Sequence, residues 1–209
     1  MKKYLCAHVC ALLLFSSSSC FADSEFSNLS PAGAVYNPWY SLGSGWTQGF
    51  GFTASSTEYL TDIQIVLGNM SGTGNPVISL YSAGSGDWSL GTVLESWTVD
   101  HTTLVPTEGY NTKDVTSLAS VSHPVLNAGS NYWIIGTNSS GTNTAWYLNN
   151  LGDYSQPYYS NGSIHSPGTG NLSGAFAVDA APVPEPETYA MMLAGLGMVG
   201  FMARRRKTS

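Results

Sequence analysis

Cysteine is nearly absent from this chain of 209 residues: Cys6, Cys10 and Cys20 are the only three, all within the first 22 positions. What folds downstream has no disulfide, no thiolate metal ligand and no cysteine nucleophile, so it must stand on its hydrophobic core. Basic residues are almost as scarce. Lys2 and Lys3 open the chain, Arg204, Arg205, Arg206 and Lys207 close it, and Lys113 is alone between them. Eleven carboxylates from Asp23 to Asp179 face that single lysine. Nucleic acid is excluded as a partner, because no cationic patch exists to displace its counterions. An anionic sugar would need a bridging cation, whereas a neutral glycan or a divalent ion is compatible. The chain also has no Gly-x-Ser-x-Gly elbow, no Asp-x-Asp-x-Asp-Gly loop and no histidines at metal-ligand spacing. No internal repeat is visible, which argues against a propeller or a β-helix.

What is present is concentrated at the two ends. Residues 1–22 hold a basic start, an apolar stretch around Ala11-Leu12-Leu13-Leu14-Phe15, and Ala22 followed by Asp23. That order predicts a signal peptide, cleaved after Ala22 by the Sec and signal peptidase machinery. Cys20 lacks the leucine expected three residues before a lipoprotein cysteine, so cleavage is preferred to lipidation. Residues 182–209 contain a Pro/Glu box, an uncharged apolar run from Tyr189 to Ala203, and the basic cluster Arg204 to Lys207. Pro182, Pro184 and Pro186 keep a helix from extending backwards and leave an exposed, extended segment. Fifteen helical residues rise only about 22 Å against a hydrocarbon core of ~30 Å. Tyr189 nevertheless suits one interface, and the arginines can snorkel into the other. The expectation is a transmembrane helix over residues 189–203 with a cytoplasmic C-terminus, by the positive-inside rule. Residues 23–181 would then lie in the periplasm, with the helix anchored in the inner membrane.

Val183-Pro184-Glu185-Pro186, Thr188, Tyr189, Ala190-Met191-Met192-Leu193-Ala194-Gly195-Leu196-Gly197 and Arg204-Arg205-Arg206 together resemble the PEP-CTERM protein-sorting signal. Glu187 stands where that family often has Ser, and Tyr189 where it often has Trp. The resemblance implies an exported protein, typical of Gram-negative bacteria that make extracellular polysaccharide. It also implies processing by an exosortase, a membrane-embedded cysteine transpeptidase-like enzyme, with delivery to the cell surface or extracellular matrix. It covers sorting alone and assigns no activity.

The body, residues 23–181, reads as all-β. Trp46 to Thr53 alternates large and small side chains; Leu60, Ile63, Ile65 and Leu67 form a run that Gly68-Asn69 closes. Val77–Tyr81, Val93–Val99, Tyr132–Thr137, Thr144–Leu148 and Ala175–Val178 supply further strands. In the Val93–Val99 strand, residues 93, 97 and 99 make one apolar face, which Glu95 interrupts. Glycine-rich turns between short strands predict an antiparallel β-sandwich of jelly-roll type. The order of these segments, with Leu126-Asn127-Ala128-Gly129-Ser130-Asn131-Tyr132-Trp133-Ile134 late in the chain, is similar to the surface domains called choice-of-anchor, the R type above all. That likeness implies a fold and an extracellular address, and no catalysis.

Candidates for chemistry are few. Asp100-His101 would be adjacent on a strand and so face opposite sides, which favours a solvated strand end over half of a triad. His123 and His165 read as isolated loop histidines. Glu95 is the most interesting carboxylate, yet nothing in sequence brings Glu58 or Asp62 beside it as glycoside hydrolysis requires. No catalytic residue is assigned and the chain is expected not to be an enzyme. No cofactor is expected either, with a structural Ca²⁺ near Asp87 or Asp153 left open. Trp88, Tyr158 and Tyr159 are candidates for stacking on sugar rings, as exposed aromatics in polar segments do. Trp97 and Trp133 read as core. The Asn-x-Ser sequences at Asn28, Asn69, Asn138, Asn161 and Asn171 follow from composition. The leading expectation is a non-enzymatic surface or matrix protein associated with exopolysaccharide, the second a module binding a neutral glycan, and the third a glycan-active enzyme.

Overall fold

The computed structural model describes residues 23–31, 36, 39–43, 45–83, 88–106, 114–138, 141–166, 172–183 and 186–207. In chain order the strands are β1 (Asp23–Ser27), β2 (Trp39–Leu42), β3 (Thr47–Thr53), β4 (Glu58–Ile65), β5 (Leu67–Ser71), β6 (Val77–Ala83) and β7 (Leu90–Thr98). They continue as β8 (Thr116–Ala119), β9 (Val125–Leu126), β10 (Asn131–Thr137), β11 (Asn143–Tyr147), β12 (Tyr158–Ser160), β13 (Ser163–His165) and β14 (Phe176–Pro182). One helix, α1 (Pro186–Lys207), follows. The strands form antiparallel sheets: β1-β14-β4-β8, with β9 also on β4; β13-β12-β3-β10-β6-β7; and β2-β11-β5.

Period-two alternation turns one side of each sheet onto a common core. Phe50 and Phe52 of β3, Ile78 and Leu80 of β6, and Tyr132 and Ile134 of β10 belong to one buried cluster with Leu60, Ile63 and Ile65 of β4 and Phe176 and Val178 of β14. Rings cross between the layers, with Phe52 of β3 at 5.9 Å from Phe26 and edge-on to Phe176 at 6.3 Å, while Phe26 and Phe176 stack at 4.7 Å within their own sheet. Full burial of each such side chain contributes on the order of 1.5–3 kcal/mol, the main stabilising term for a domain without disulfides.

Two local expectations are corrected. The apolar run does not close at Gly68-Asn69, because β5 carries it on to Ser71, paired with β11. The chain changes sheets at Val66. There the Val66 amide donates to Ala175 at 3.2 Å, that of Tyr147 to Val66 at 3.0 Å, and that of Ala175 to Tyr147 at 2.8 Å. Val66, Tyr147 and Ala175 form a second buried cluster with Tyr36 and Ala145. In β7, Glu95 pairs with Leu80 and Trp97 with Ile78, so both lie on the core side, but the register shifts between Leu80 and Tyr81. This bulge sends Val93 opposite Tyr81 to the outer face, where it is 51% exposed. A one-residue slip reverses every later side chain.

Buried polar residues are bonded at the places where strands meet loops. Asn28 donates to the Gly174 carbonyl at 2.9 Å and accepts from the Phe176 amide at 2.8 Å. Asn149 donates to the carbonyls of Ser173 (2.8 Å) and Asp153 (3.0 Å) and accepts from the amides of Leu151 (3.1 Å) and Asp153 (2.9 Å).

Candidate functional site: an aromatic face and the C-terminal tail

The sugar-stacking candidates separate. Tyr158 is buried in the core, stacked on Tyr40 at 5.0 Å and on His165 at 5.5 Å, and its hydroxyl donates to buried Gln48. Burial pushes its phenol pKa up, against the hydrogen bonds with Ser160 and Gln48. Burial and the neighbouring Tyr158 likewise raise Tyr40. Tyr158 therefore offers no ring face to a ligand. Its pairing with Phe50 of β3 puts it on the core side, which a bare Tyr-Tyr dipeptide cannot reveal.

Trp88 and Tyr159, by contrast, meet on the outer face of the six-stranded sheet. Both stand edge-on to Trp133, at 5.5 Å and 6.1 Å between ring centres. The Trp133 indole N–H donates to the Trp88 carbonyl at 3.0 Å. Trp133 is fully buried, yet on the opposite side of β10 from Tyr132 and Ile134. Gly51 makes this possible: a Cβ there would stand 2.5 Å from the Trp88 ring and 2.7 Å from Pro157. Thus the Gly-Phe-Gly-Phe stretch of β3 feeds the core with phenylalanines and leaves flat ground for aromatics outside. Trp88 and Tyr159 remain partly exposed on this face.

The polar candidates make hydrogen bonds within the fold. Asp100 caps the short 3₁₀ turn His101–Thr103, accepting from the Thr102 amide at 2.9 Å and hydroxyl at 2.8 Å; these bonds hold its carboxyl below the usual value. His123 sits in a turn with φ of 46°, its Nδ1 at 3.0 Å from the Leu60 carbonyl. Glu95 accepts from the Ser120 hydroxyl at 2.6 Å and the amides of Val121 (2.7 Å) and Ser122 (3.2 Å). Asp62 lies on the outer face of the other sheet, opposite Asp179, and accepts from Ser117 at 2.8 Å. Glu95 thus lies on the core side of one sheet and Asp62 on the outer face of the other. Among the described residues no three His, Cys, Asp or Glu gather as a metal site. Asp87 lies outside the described residues, and the Asp153 carboxylate accepts from the Ser155 amide at 2.8 Å.

The tail is built differently from everything before it. Pro186 is the first residue of α1, where its fixed φ suits a helix start and its missing N–H costs nothing. Met192, Leu193, Leu196, Met198, Val199 and Phe201 are all between 56% and 68% exposed. At 100° per residue these positions point all around the axis, so among the described residues none of the large apolar side chains of the helix is covered by the domain. Of the sorting residues, Val183 is partly exposed after β14, Pro184 and Glu185 lie outside the described residues, and Pro186 and Thr188 are in α1. Arg204, Arg205, Arg206 and Lys207 form the last turn of the helix, where cations suit its C-terminal dipole. Residues 182–207 match the family model of the PEP-CTERM protein-sorting motif.

This tail is a PEP-CTERM motif. No curated protein matches the chain. The PEP-CTERM motif implies export, C-terminal membrane anchoring and processing by an exosortase. The expected transmembrane helix needs correction in one respect. Among the described residues no helix is long and apolar enough to cross a membrane. The 22 residues of α1 include Glu187 and the basic cluster, so the uncharged part of the PEP-CTERM helix, from Thr188 to Ala203, reaches about 24 Å.

Proposed function

We propose that this chain is a non-enzymatic surface or extracellular-matrix protein of an exopolysaccharide-producing cell. Its residues 1–22 act as a cleaved signal peptide, and its PEP-CTERM tail halts it in the inner membrane with the β domain in the periplasm. An exosortase then processes the tail and releases the domain to the cell surface or matrix. The observation that carries this reading is the tail itself, a matched sorting motif whose large apolar side chains from Met192 to Met202 are all exposed. A short helix is accommodated by local bilayer thinning and by arginines reaching to the far interface. The same reading takes the domain as a jelly-roll sandwich of the choice-of-anchor kind. Intact mass of the cell-associated and released protein tests it, with and without residues 186–207. Processed species that persist in a strain lacking exosortase would overturn it.

A second reading, a module for a neutral glycan, is supported by the partly exposed Trp88 and Tyr159 against Trp133. A glycan array with the domain checks it: saturable binding that Trp88→Ala abolishes supports the module, and unchanged binding removes this face as its site.

A further inference from the structure

The β domain begins and ends at one place. β1 and β14 are antiparallel neighbours with Asp23 opposite Ala180, so Asp23, where β1 begins, and Pro182, where β14 ends, lie at the same end of the five-stranded sheet. Pro182 is still paired, with Glu58 of β4. Four residue steps separate it from Pro186, the first helical residue, and extended chain covers at most about 14 Å in that distance. This end is also knit together. The Glu25 carboxylate of β1 accepts from the amides of Ser55 and Ser56, at 3.1 Å for Ser56, and from the Ser56 hydroxyl at 2.7 Å. The Gly129 amide donates to Ala54 at 2.8 Å and that of Ala128 to the Thr57 hydroxyl at 3.1 Å. A rigid end tethered so closely must lie near whatever holds the helix.

Its surface carries a fitting pair. Tyr59 is opposite Val125 on one side and Ala181 on the other, on the outer face of the sheet and a single residue from Pro182. Tyr59 is 37% exposed and Val125 39%. A tyrosine with an apolar body and a polar tip, beside a valine, is the composition that membrane interfaces favour.

We propose that the end of the domain formed by Asp23, the Ser55–Glu58 loop, Tyr59, Val125 and Pro182 rests on the lipid headgroups of the membrane that holds the tail. The opposite end, with the Asn161-Gly162 turn beside Thr47, then faces away. This rests on the reading of the tail as a bilayer anchor. The seven residues of β3 separate the two ends by about 20 Å, enough for a headgroup quencher to tell them apart.

The test uses residues 23–209, the chain that cleavage after Ala22 leaves and that holds no cysteine, with one new thiol at Val125→Cys or Ser163→Cys. Each is labelled with a fluorophore and reconstituted in phosphatidylcholine vesicles containing headgroup nitroxide lipid. Quenching several-fold stronger at residue 125 than at residue 163 supports the proposal. Equal or reversed quenching in protein that floats with the vesicles overturns it and leaves the anchor intact. If the protein floats equally well without residues 186–209, or does not float at all, the anchor reading falls and the proposal with it.

Discussion

At Glu95 three donors of one turn converge on a carboxylate that stands on the core side of an edge strand. Partial burial pushes its pKa up, and the donations from Ser120, Val121 and Ser122 outweigh that, holding the carboxyl below the ordinary glutamate value. The neighbouring Trp97 indole donates to the Ala119 carbonyl at 2.9 Å, so β7 of one sheet grips the turn after β8 of the other. Glu95→Gln keeps the shape but leaves the amides facing a weaker acceptor, and should lower stability by about 1–2 kcal/mol at neutral pH. Because the folded pKa is the lower one, the charged contribution is complete above the unfolded value of about 4.3 and is lost as pH falls through the folded value. Urea unfolding of both proteins should therefore show a gap at neutral pH that closes below about pH 4. A gap independent of pH would mean that packing, not charge, holds the turn. Sequence marked Glu95 as unusual only because it broke an alternation. Its purpose was not readable, since the turn it binds is 25 residues away along the chain.

Among the elements, legibility followed burial. Strands such as β3, β6 and β10 carry aromatics or β-branched residues that alternate or run continuously, and the sequence shows them. The short β1, β12 and β13 are polar or mixed and are strands because a neighbouring edge offers hydrogen bonds, a tertiary cause invisible locally. One signal was nevertheless present. Asn161-Gly162, read only as part of an Asn-x-Ser sequence, is the two-residue turn between β12 and β13, with φ of 45° and 89°; Asn-Gly is the favoured pair for such hairpins. The same hairpin carries Tyr158 inward and Tyr159 outward, which is why one sugar-stacking candidate is buried and the other partly exposed. The tail was the most legible element, because a membrane-directed helix answers to composition rather than to a partner strand. Its function makes a correspondingly simple prediction. Leu196→Arg places a charge at the middle of the apolar run and should cost about 2.5–3.5 kcal/mol of insertion. Vesicle flotation should fall steeply while the intrinsic fluorescence of the β domain stays unchanged; flotation equal to the parent chain would show that α1 is not what the bilayer holds.

For the molecule as a whole, domain and tail solve different solvation problems. The domain buries its apolar side chains between sheets, whereas α1 leaves Leu193, Leu196, Val199 and Phe201 more than 60% exposed. An uncovered helix of that composition adds little to the stability of the β domain, and in lipid its side chains need no protein partner. A chain of residues 23–183 should then unfold in urea within about 0.5 kcal/mol of residues 23–209 held in detergent, the range of changes that disturb no packed feature. It should lose membrane retention entirely. The comparison belongs at physiological salt, because truncation removes the four terminal cations and leaves eleven carboxylates against Lys113, whose mutual repulsion is screened beyond about 8 Å at that ionic strength. A fall of several kcal/mol on truncation would place α1 against the sheets. Retention without loss would place the anchor elsewhere in the chain.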